Sequence, residues 1–280
     1  MIGLRPAPAA QPLAPAPARR VWPAQPFAMA GVVCERFLLT YRVEPRLIRA
    51  LAPGPFEPVV RDGVAFAGVC LVEVRAMRPH PLPAWLGFHY HEAVYRLIVE
   101  YHSPTAGPLR GIVAPRSDAN HPAIALGGRL LSHYPFHLAR IDKQRRGDRV
   151  ALRQRTLDGG GDVDATFLVD PTRRALPAGS AFASLDEAMD LVVGMRHTFA
   201  WRGAWDGRQA VVHRSCIEHG PWRMSVALPE RPPRLAFFES ELVRRYGGAE
   251  LDHVLHMRDV PHVWGATQAE TSGYSGFPGD

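Results

Sequence analysis

The chain has 280 residues, of which 46% are apolar and 21% are charged. This composition can bury the core of one large domain or two small ones, and it excludes a chain that is disordered throughout. The three cysteines, Cys34, Cys70 and Cys216, lie far apart, which argues against a disulfide scaffold or a structural zinc cluster. We find neither an apolar run of about 18 residues that could span a membrane nor a secretory signal. We therefore expect a cytoplasmic protein with no membrane partner.

The formal net charge is +6, and 33 residues are lysine or arginine. Lys143 is the sole lysine, so nearly all of the basic residues are arginines, and they are scattered along the chain. No basic helix, RNP-type motif or zinc finger accompanies them, so we expect no nucleic-acid partner. The glycine run at 159–161 lacks the strand–loop–helix setting of a phosphate-binding loop, and we expect no cofactor.

The predicted elements begin after a Pro/Ala-rich tract at residues 1–26, which has little apolar surface to bury and is expected to be a disordered tail. Residues 27–267 are expected to form a single domain, and residues 268–280 a flexible tail. Periodicity predicts strands at 37–42, 64–76, 88–102, 110–115, 149–156, 163–169, 199–205, 209–216, 224–227 and 253–263. It predicts helices at 44–51, 123–131, 184–196 and 237–246. Many strands with few helices indicate an α+β, mainly β domain and exclude a βαβ array.

Residues 123–137 read Ala-Ile-Ala-Leu-Gly-Gly-Arg-Leu-Leu-Ser-His-Tyr-Pro-Phe-His. This segment resembles the catalytic segment of acetoacetate decarboxylases, where Ala-Ile-Ala-Val-Gly-Arg is followed by Leu-Ser and Tyr-Pro-Lys-Lys; Gly127 is one extra residue. Residues 31–265 are similar to the YqjF-like proteins, a branch of this superfamily without an assigned function, through Glu92 with Arg96 and the closing Val-Trp-Gly at 263–265. The resemblance implies a β-barrel or cone-shaped antiparallel sheet with a few packed helices and an internal pocket. It also leaves open a homo-oligomer.

In the decarboxylases a lysine forms an imine with the β-keto acid, and a neighbouring cation activates that lysine; acetoacetate decarboxylase is the standard example of this activation. Here the two lysine positions hold Phe136 and His137, which cannot form such an imine. Lys143 lies in a charged stretch at 142–148, which we expect to be a solvated turn. The resemblance therefore implies a decarboxylase-like protein that lacks the Schiff-base lysine, and acetoacetate decarboxylase activity is not expected.

The predicted strand at 88–102 places Glu92 and Arg96 on one face, because side chains alternate along a strand. We expect Glu92 to act as an acid or base in the pocket, helped by His137, and Arg96 to bind a substrate carboxylate. A Glu–Arg pair on a solvated face and a structural histidine are the alternatives. The segment also offers substrate-binding candidates, which are Arg129, Tyr134 and Phe136. A structural role is the stronger alternative for Arg129.

Other chemistries have weaker support. His89 and His91 have a spacing that metal-binding strands use, but no carboxylate completes a recognisable ligand set, and we expect no metal. No Gly-x-Ser-x-Gly motif occurs, and Cys70 lies in an apolar strand that favours a core position. Trp201, Trp205 and Trp222 line a cavity or fill one. Two functions stay open: an enzyme that moves a proton on a small carbonyl or carboxylate compound, and a non-catalytic protein that binds a small ligand.

Overall fold

The computed structural model describes residues 25–52, 54–132, 134–193, 195–202, 210–220 and 223–272. Most of the expected N-terminal tail and residues 273–280 lie outside these ranges. The described strands are β1 Met29–Val43, β2 Phe56–Pro58, β3 Val60–Arg61, β4 Val64–Pro79, β5 Phe88–Ser103, β6 Gly107–Ala119, β7 Phe136–Arg146, β8 Arg149–Thr156, β9 Val163–Leu168, β10 His197–Arg202, β11 Ala210–His219, β12 Ser225–Val226, β13 Leu228–Pro229, β14 Arg234–Leu235, β15 Ala249–Trp264 and β16 Gln268–Ser272. The described helices are α1 Pro45–Leu51, α2 Pro122–Gly127, α3 Leu185–Val193 and α4 Glu241–Arg245, with a 3-10 turn at Ala84–Leu86 and a π-helical segment at Gly128–Ser132.

Seven strands pair into a closed ring in the order β1, β4, β5, β6, β10, β11, β15, and β15 pairs back onto β1. Every pair in the ring is antiparallel except β6–β10, which is parallel. The mainly β architecture predicted from the sequence is confirmed. The parallel pair is a departure from the expected antiparallel sheet, and it arises because β7 to β9 and α3 intervene along the chain between β6 and β10.

The wall formed by β1, β4 and β5 presents its side chains to two separate cores, because successive residues of a strand point to opposite faces. Phe37, Leu71 and Tyr95 belong to the larger core. Leu38 and Val72, which are the next residues along the same strands, belong to the second core. Each strand of this wall is therefore buried on both faces, which explains why the sequence there is nearly continuous in apolar residues.

The larger core lies between this wall and a second sheet in which β7, β8 and β9 are antiparallel neighbours. Phe37 of β1 stacks on Phe167 of β9 with their ring centroids 4.6 Å apart. Both side chains are at most 1% exposed, and burying a side chain of this size contributes about 1.5–3 kcal/mol. The second sheet thus fixes the position of the wall from outside the ring.

Local structure differs from the expectation at two places. Residues 123–131 do not form one α-helix: α2 ends at Gly127 and a π-helical segment follows. A π-helix bonds residue i to i+5 and so takes one more residue per turn than an α-helix, which suits a segment with one extra glycine. Residues 268–272, expected in a flexible tail, form β16 on β11. There Glu270 is buried and accepts hydrogen bonds from Ser103 and Arg214, so polar residues order this strand.

No helix among the described residues is both long enough and apolar enough to cross a membrane.

Candidate functional site

A cavity of about 330 Å³ occupies the interior of the ring, and we refer to it as the ring cavity. Each of the seven ring strands contributes to its lining, from Arg36 on β1 to Trp264 on β15. Helix α2 covers one side with Ala123, Ile124 and Gly127. The volume lies near the lower end of the range for small-molecule sites, about 300–1,000 Å³. The lining is mostly aliphatic and aromatic with a few polar groups, which is the usual composition of a ligand pocket.

Glu92 enters the ring cavity from the middle of β5 and is 8% exposed. The Ser117 hydroxyl donates a hydrogen bond of 2.5 Å to Glu92 Oε1, and the Tyr90 side chain is also hydrogen-bonded to Glu92. The alternative of a solvated Glu–Arg pair is therefore wrong for Glu92. The alternation of side chains on β5 explains its position, because Tyr90, Glu92 and Arg96 all line the cavity.

Burial raises the pKa of Glu92 to about 7, even though the hydrogen bond from Ser117 and the charge of Arg96 lower it; the charge of Asp118 adds to the rise. Both protonation states of Glu92 are therefore populated near neutral pH. A carboxyl group poised in this way can accept or donate a proton at physiological pH.

Two guanidinium groups share the ring cavity with this carboxyl group. Arg96 forms no ion pair with any residue in the described ranges, and its buried Nε has no hydrogen-bond partner there. Arg36 Nη2 lies 3.4 Å from His262 Nε2. Burial lowers the pKa of His262 to about 3, and the charge of Arg36 adds to this, so the imidazole is neutral and accepts from the guanidinium. Among the described lining residues, the charged ones are Arg36, Glu92 and Arg96. The lining therefore has a net positive charge.

Tyr134 and Phe136 also line the ring cavity, as the sequence predicts. Burial raises the pKa of the Tyr134 phenol, and its side chain is hydrogen-bonded to Thr198. The ring of Phe136 lies against Gly128, where an added Cβ would be 2.4 Å from the phenyl carbons. An apolar ring therefore faces the cavity at the first of the two positions where the decarboxylase pattern has lysine.

His137 and Arg129 do not belong to the described lining of the ring cavity. Because side chains alternate on β7, Phe136 faces the cavity and His137 points to the other face. There His137 is the neighbour of Asp118 in the parallel β6–β7 pairing. Burial raises the pKa of that aspartate, although Arg116 and His137 oppose the rise. Arg129 is exposed on the π-helical segment. The structure therefore does not bring either residue to Glu92.

Lys143 is not in a solvated turn, contrary to the expectation from its charged neighbours. It lies on β7 with 16% of its side chain exposed, and its ammonium pairs with Glu35 Oε2 at 2.6 Å and with Glu73. Arg145 and His256 also contact Glu35. We call these five residues the outer cluster. The lysine is buried because the β7–β8 hairpin packs on the outer face of the wall.

The outer cluster borders a cavity of about 20 Å³, which is large enough for about one water molecule. Val72 and Glu92 belong to the wall and border both cavities. The Lys143 side chain is engaged by two carboxylates and does not line the ring cavity, whereas an imine requires a free amine at the substrate. The position of Lys143 therefore does not supply the missing nucleophile.

The remaining candidates have structural partners. His89 and His91 both contact Glu73, with Nε2–Oε distances of 3.1 and 3.6 Å, and Glu73 is already paired with Lys143. Cys70 is fully buried in the second core, as predicted. The side chains of Trp201, Trp205 and Trp222 lie outside the described residues.

Sequence reasoning missed Arg36, Ser117 and His213, all of which line the ring cavity. One signal was available for Arg36: Glu35 and Arg36 are adjacent charges inside an otherwise apolar strand. Since neighbours on a strand face opposite ways, one of the two had to point into the ring. Ser117 and His213 carry no comparable signal.

Comparison with solved structures shows that the chain has the acetoacetate decarboxylase fold. Acetoacetate decarboxylase from Legionella pneumophila superposes with a TM-score of 0.62 at 15% identity, over 91% of this chain and 92% of that chain. An acetoacetate decarboxylase-like enzyme from Sphingomonas wittichii RW1 gives a TM-score of 0.58 at 15% identity, over 93% and 98%. The enduracididine biosynthesis enzyme MppR, complexed with pyruvate, gives 0.56 at 15% identity, over 95% and 98%.

No curated protein matches the sequence. The profile of one family, DUF2071, described as an uncharacterized conserved protein, matches residues 33–256. This match spans well over half of the chain and contains most of the lining of the ring cavity, including Glu92, Arg96 and Phe136. The protein therefore belongs to the DUF2071 family and combines that membership with the fold of the acetoacetate decarboxylases.

Proposed function

We propose that this protein binds a small carbonyl or carboxylate compound in the ring cavity and moves a proton on it through Glu92, without forming an imine. The observation that supports this most directly is a buried carboxyl group with a pKa of about 7 beside two guanidinium groups in one cavity. A cavity with this charge favours an anionic ligand, because a bound carboxylate neutralises positive charge that is otherwise buried.

Arg96 is the residue best suited to bind the carboxylate. Its guanidinium has no ion-pair partner in the described part of the chain, and a guanidinium can hold a carboxylate through two parallel hydrogen bonds. Arg36, whose Nη2 lies 3.4 Å from the neutral imidazole of His262, adds a second positive charge to the cavity. A hydrogen bond to a charged group contributes about 1.5–3 kcal/mol, so loss of Arg96 should weaken binding by roughly 10- to 100-fold.

Glu92 is the proposed catalytic residue. As a carboxylate it takes a proton from the carbon beside the ligand's carbonyl group, and the electron pair of that C–H bond moves to form an enolate. The protonated Glu92 then returns the proton to the same carbon, which completes proton exchange, or to a neighbouring atom, which completes an isomerisation. Ser117 and Tyr90 hold the carboxyl group in place through their hydrogen bonds, and the arginines stabilise the negative charge that develops.

Two further observations agree with this assignment. MppR, which shares the fold, is complexed with pyruvate and with the condensation product of pyruvate and imidazole 4-carboxaldehyde; pyruvate is a small 2-oxo acid. In this chain Phe136 and the ion-paired Lys143 leave no free amine at the ring cavity among the described residues. Proton transfer without an imine is the chemistry that these groups can support.

The test is exchange of the methyl protons of pyruvate with deuterium, followed by NMR. Glu92→Gln should slow the exchange by at least about 100-fold, the lower limit for general acid–base catalysis, and change the dissociation constant little. Arg96→Met should weaken binding instead. Glu100→Gln is the matched control, because Glu100 lies on the same strand and interacts with His102 and Arg110 outside the cavity. If Glu92→Gln leaves exchange unchanged, the catalytic proposal is wrong.

The second candidate is a non-catalytic ligand-binding protein, and the phenyl ring of Phe136 at a lysine position favours it. In that case pyruvate or acetoacetate binds with no exchange above the rate in buffer, and Glu92→Gln affects binding alone. If neither pyruvate nor acetoacetate binds, both candidate functions are wrong.

A further inference from the structure

The ring cavity has its charged groups in its interior, and its mouth is mainly apolar, with Gln25 and Thr267 as polar lining residues beside Leu131. Glu92, Ser117 and His213 are between 1% and 8% exposed. In contrast, the lining residues Phe88 and Leu131 are 40% and 37% exposed, and Ala123 is exposed as well. The cavity therefore reaches the surface beside these apolar residues.

Strand register places the two regions far apart. Arg36 pairs with Val72, and Val72 with Glu92, at the inner level, whereas Met29 pairs with Pro79 at the mouth. Seven residues of β1 separate Met29 from Arg36, which is roughly 20 Å along an extended strand. A ligand whose carboxylate lies between Arg36 and Arg96 therefore has a long path between it and solvent.

The lining along that path is mainly apolar. Between the Glu92 level and the mouth the wall supplies Val74 and Met77 from β4, together with Phe88 and the phenol-bearing Tyr90 from β5. Another side supplies Ile124 from α2. The lining residues of the described chain on the mouth side of Glu92 carry no charge.

We propose that the ligand is amphipathic, a carbonyl-containing carboxylic acid with an extended aliphatic or aromatic tail, and that the tail occupies the stretch between Glu92 and the mouth. This inference rests on the proposed function for the position of the acid group. Short acids such as pyruvate or acetoacetate would leave that stretch empty. The acid group binds at the arginines, and the tail points outwards past Val74 and Met77.

Gly127 offers a way to obstruct the tail without disturbing the backbone. It lines the ring cavity, and a Cβ built there meets no heavy atom within 4 Å. Gly127→Phe therefore places a ring in open space. Leu126→Phe is the matched control, because Leu126 is the preceding residue of α2, is 61% exposed and is not part of the lining.

The experiment measures dissociation constants by calorimetry for pyruvate, 2-oxohexanoate and 2-oxooctanoate. We expect affinity to rise about four-fold per added methylene, which corresponds to the ~0.8 kcal/mol of burying one such group. Gly127→Phe should reduce the ratio between the 2-oxooctanoate and pyruvate affinities by at least about ten-fold, and Leu126→Phe should preserve the ratio. A circular dichroism spectrum and a melting curve of each variant show that it is folded.

The outcomes separate this inference from the proposed function. If the affinity is the same for all three acids, or if both phenylalanine variants reduce the ratio equally, the tail site is wrong, whatever Glu92 does. If affinity rises with chain length and falls in Gly127→Phe, but Glu92→Gln leaves proton exchange unchanged, the tail site stands and the catalytic proposal fails.

Discussion

Replacing Glu92 by Gln should change how the stability of the ligand-free protein depends on pH. Burial raises the pKa of Glu92 to about 7 in the folded chain from the ordinary value of 4.5. The folded protein therefore binds a proton at this site more tightly than the unfolded chain does. Glutamine has nearly the same shape, can still accept the hydrogen bond from Ser117 and does not titrate, so it reports the stability of a permanently neutral side chain.

The sign follows from the raised pKa. The stability that comes from protonated Glu92 is fully present below about pH 4.5 and is lost as the pH rises through about 7. With these two pKa values, the free energy of unfolding of the wild-type protein should fall by about 2.5 kcal/mol relative to that of Glu92→Gln between about pH 5 and about pH 8. Near pH 5 the two proteins should differ little, since both side chains are then neutral.

Urea unfolding at several pH values, followed by circular dichroism, measures this difference. Glu57→Gln controls for the removal of one negative charge, because the Glu57 side chain is 57% exposed. If the free energies of unfolding of wild type and Glu92→Gln differ by the same amount at every pH, the reasoning is wrong. Glu92 then is not a group that changes protonation near neutral pH.

Three further results are expected. Lys143→Met should destabilise the protein by about 1.5–3 kcal/mol in urea unfolding, because it removes a charged donor from Glu35 and Glu73, which keep their arginine and histidine neighbours; a loss below about 1 kcal/mol, the level of a surface pair, would contradict this. Gly128→Ala should cost about 1–3 kcal/mol in thermal unfolding, since its Cβ would lie 2.4 Å from the Phe136 ring, whereas Gly127→Ala, whose Cβ would meet no heavy atom within 4 Å, should cost nothing. Borohydride treatment with pyruvate or acetoacetate should leave the protein mass unchanged; an adduct on Lys143 would overturn the absence of imine chemistry.

The residues that follow strand periodicity were predictable. The alternation on β5 places Tyr90, Glu92 and Arg96 on one face, and the structure has all three in the ring cavity. The strand at 149–156 has the predicted bounds. These predictions succeed because the period of a strand is local, so the side to which a residue points is determined by its immediate neighbours.

The predictions that failed depend on contacts between distant segments. Lys143 looks solvated in its charged neighbourhood, but the partners that bury it, Glu35 and Glu73, lie on β1 and β4. His137 looks like a second functional group beside Phe136, but alternation on β7 turns it to the other face, next to Asp118. The alternation of side chains along the strand already indicated this orientation of His137, but the resemblance to the decarboxylases favoured a place for it in the site. The mixed α- and π-helical structure near Gly127 depends on packing against Phe136.

The alternation of the ring wall has a consequence for how such a protein diversifies. On β5 the even-numbered residues from Phe88 to Arg96 meet the ligand space, as do Val72 and Val74 on β4, whereas odd-numbered residues such as Leu71 and Tyr95 hold the fold together through the larger core. A substitution on the cavity-facing side of these strands thus leaves the contacts of the larger core unchanged. Cavity-facing residues at alternate positions can therefore change, and with them the reaction, while the residues in between continue to stabilise the same fold.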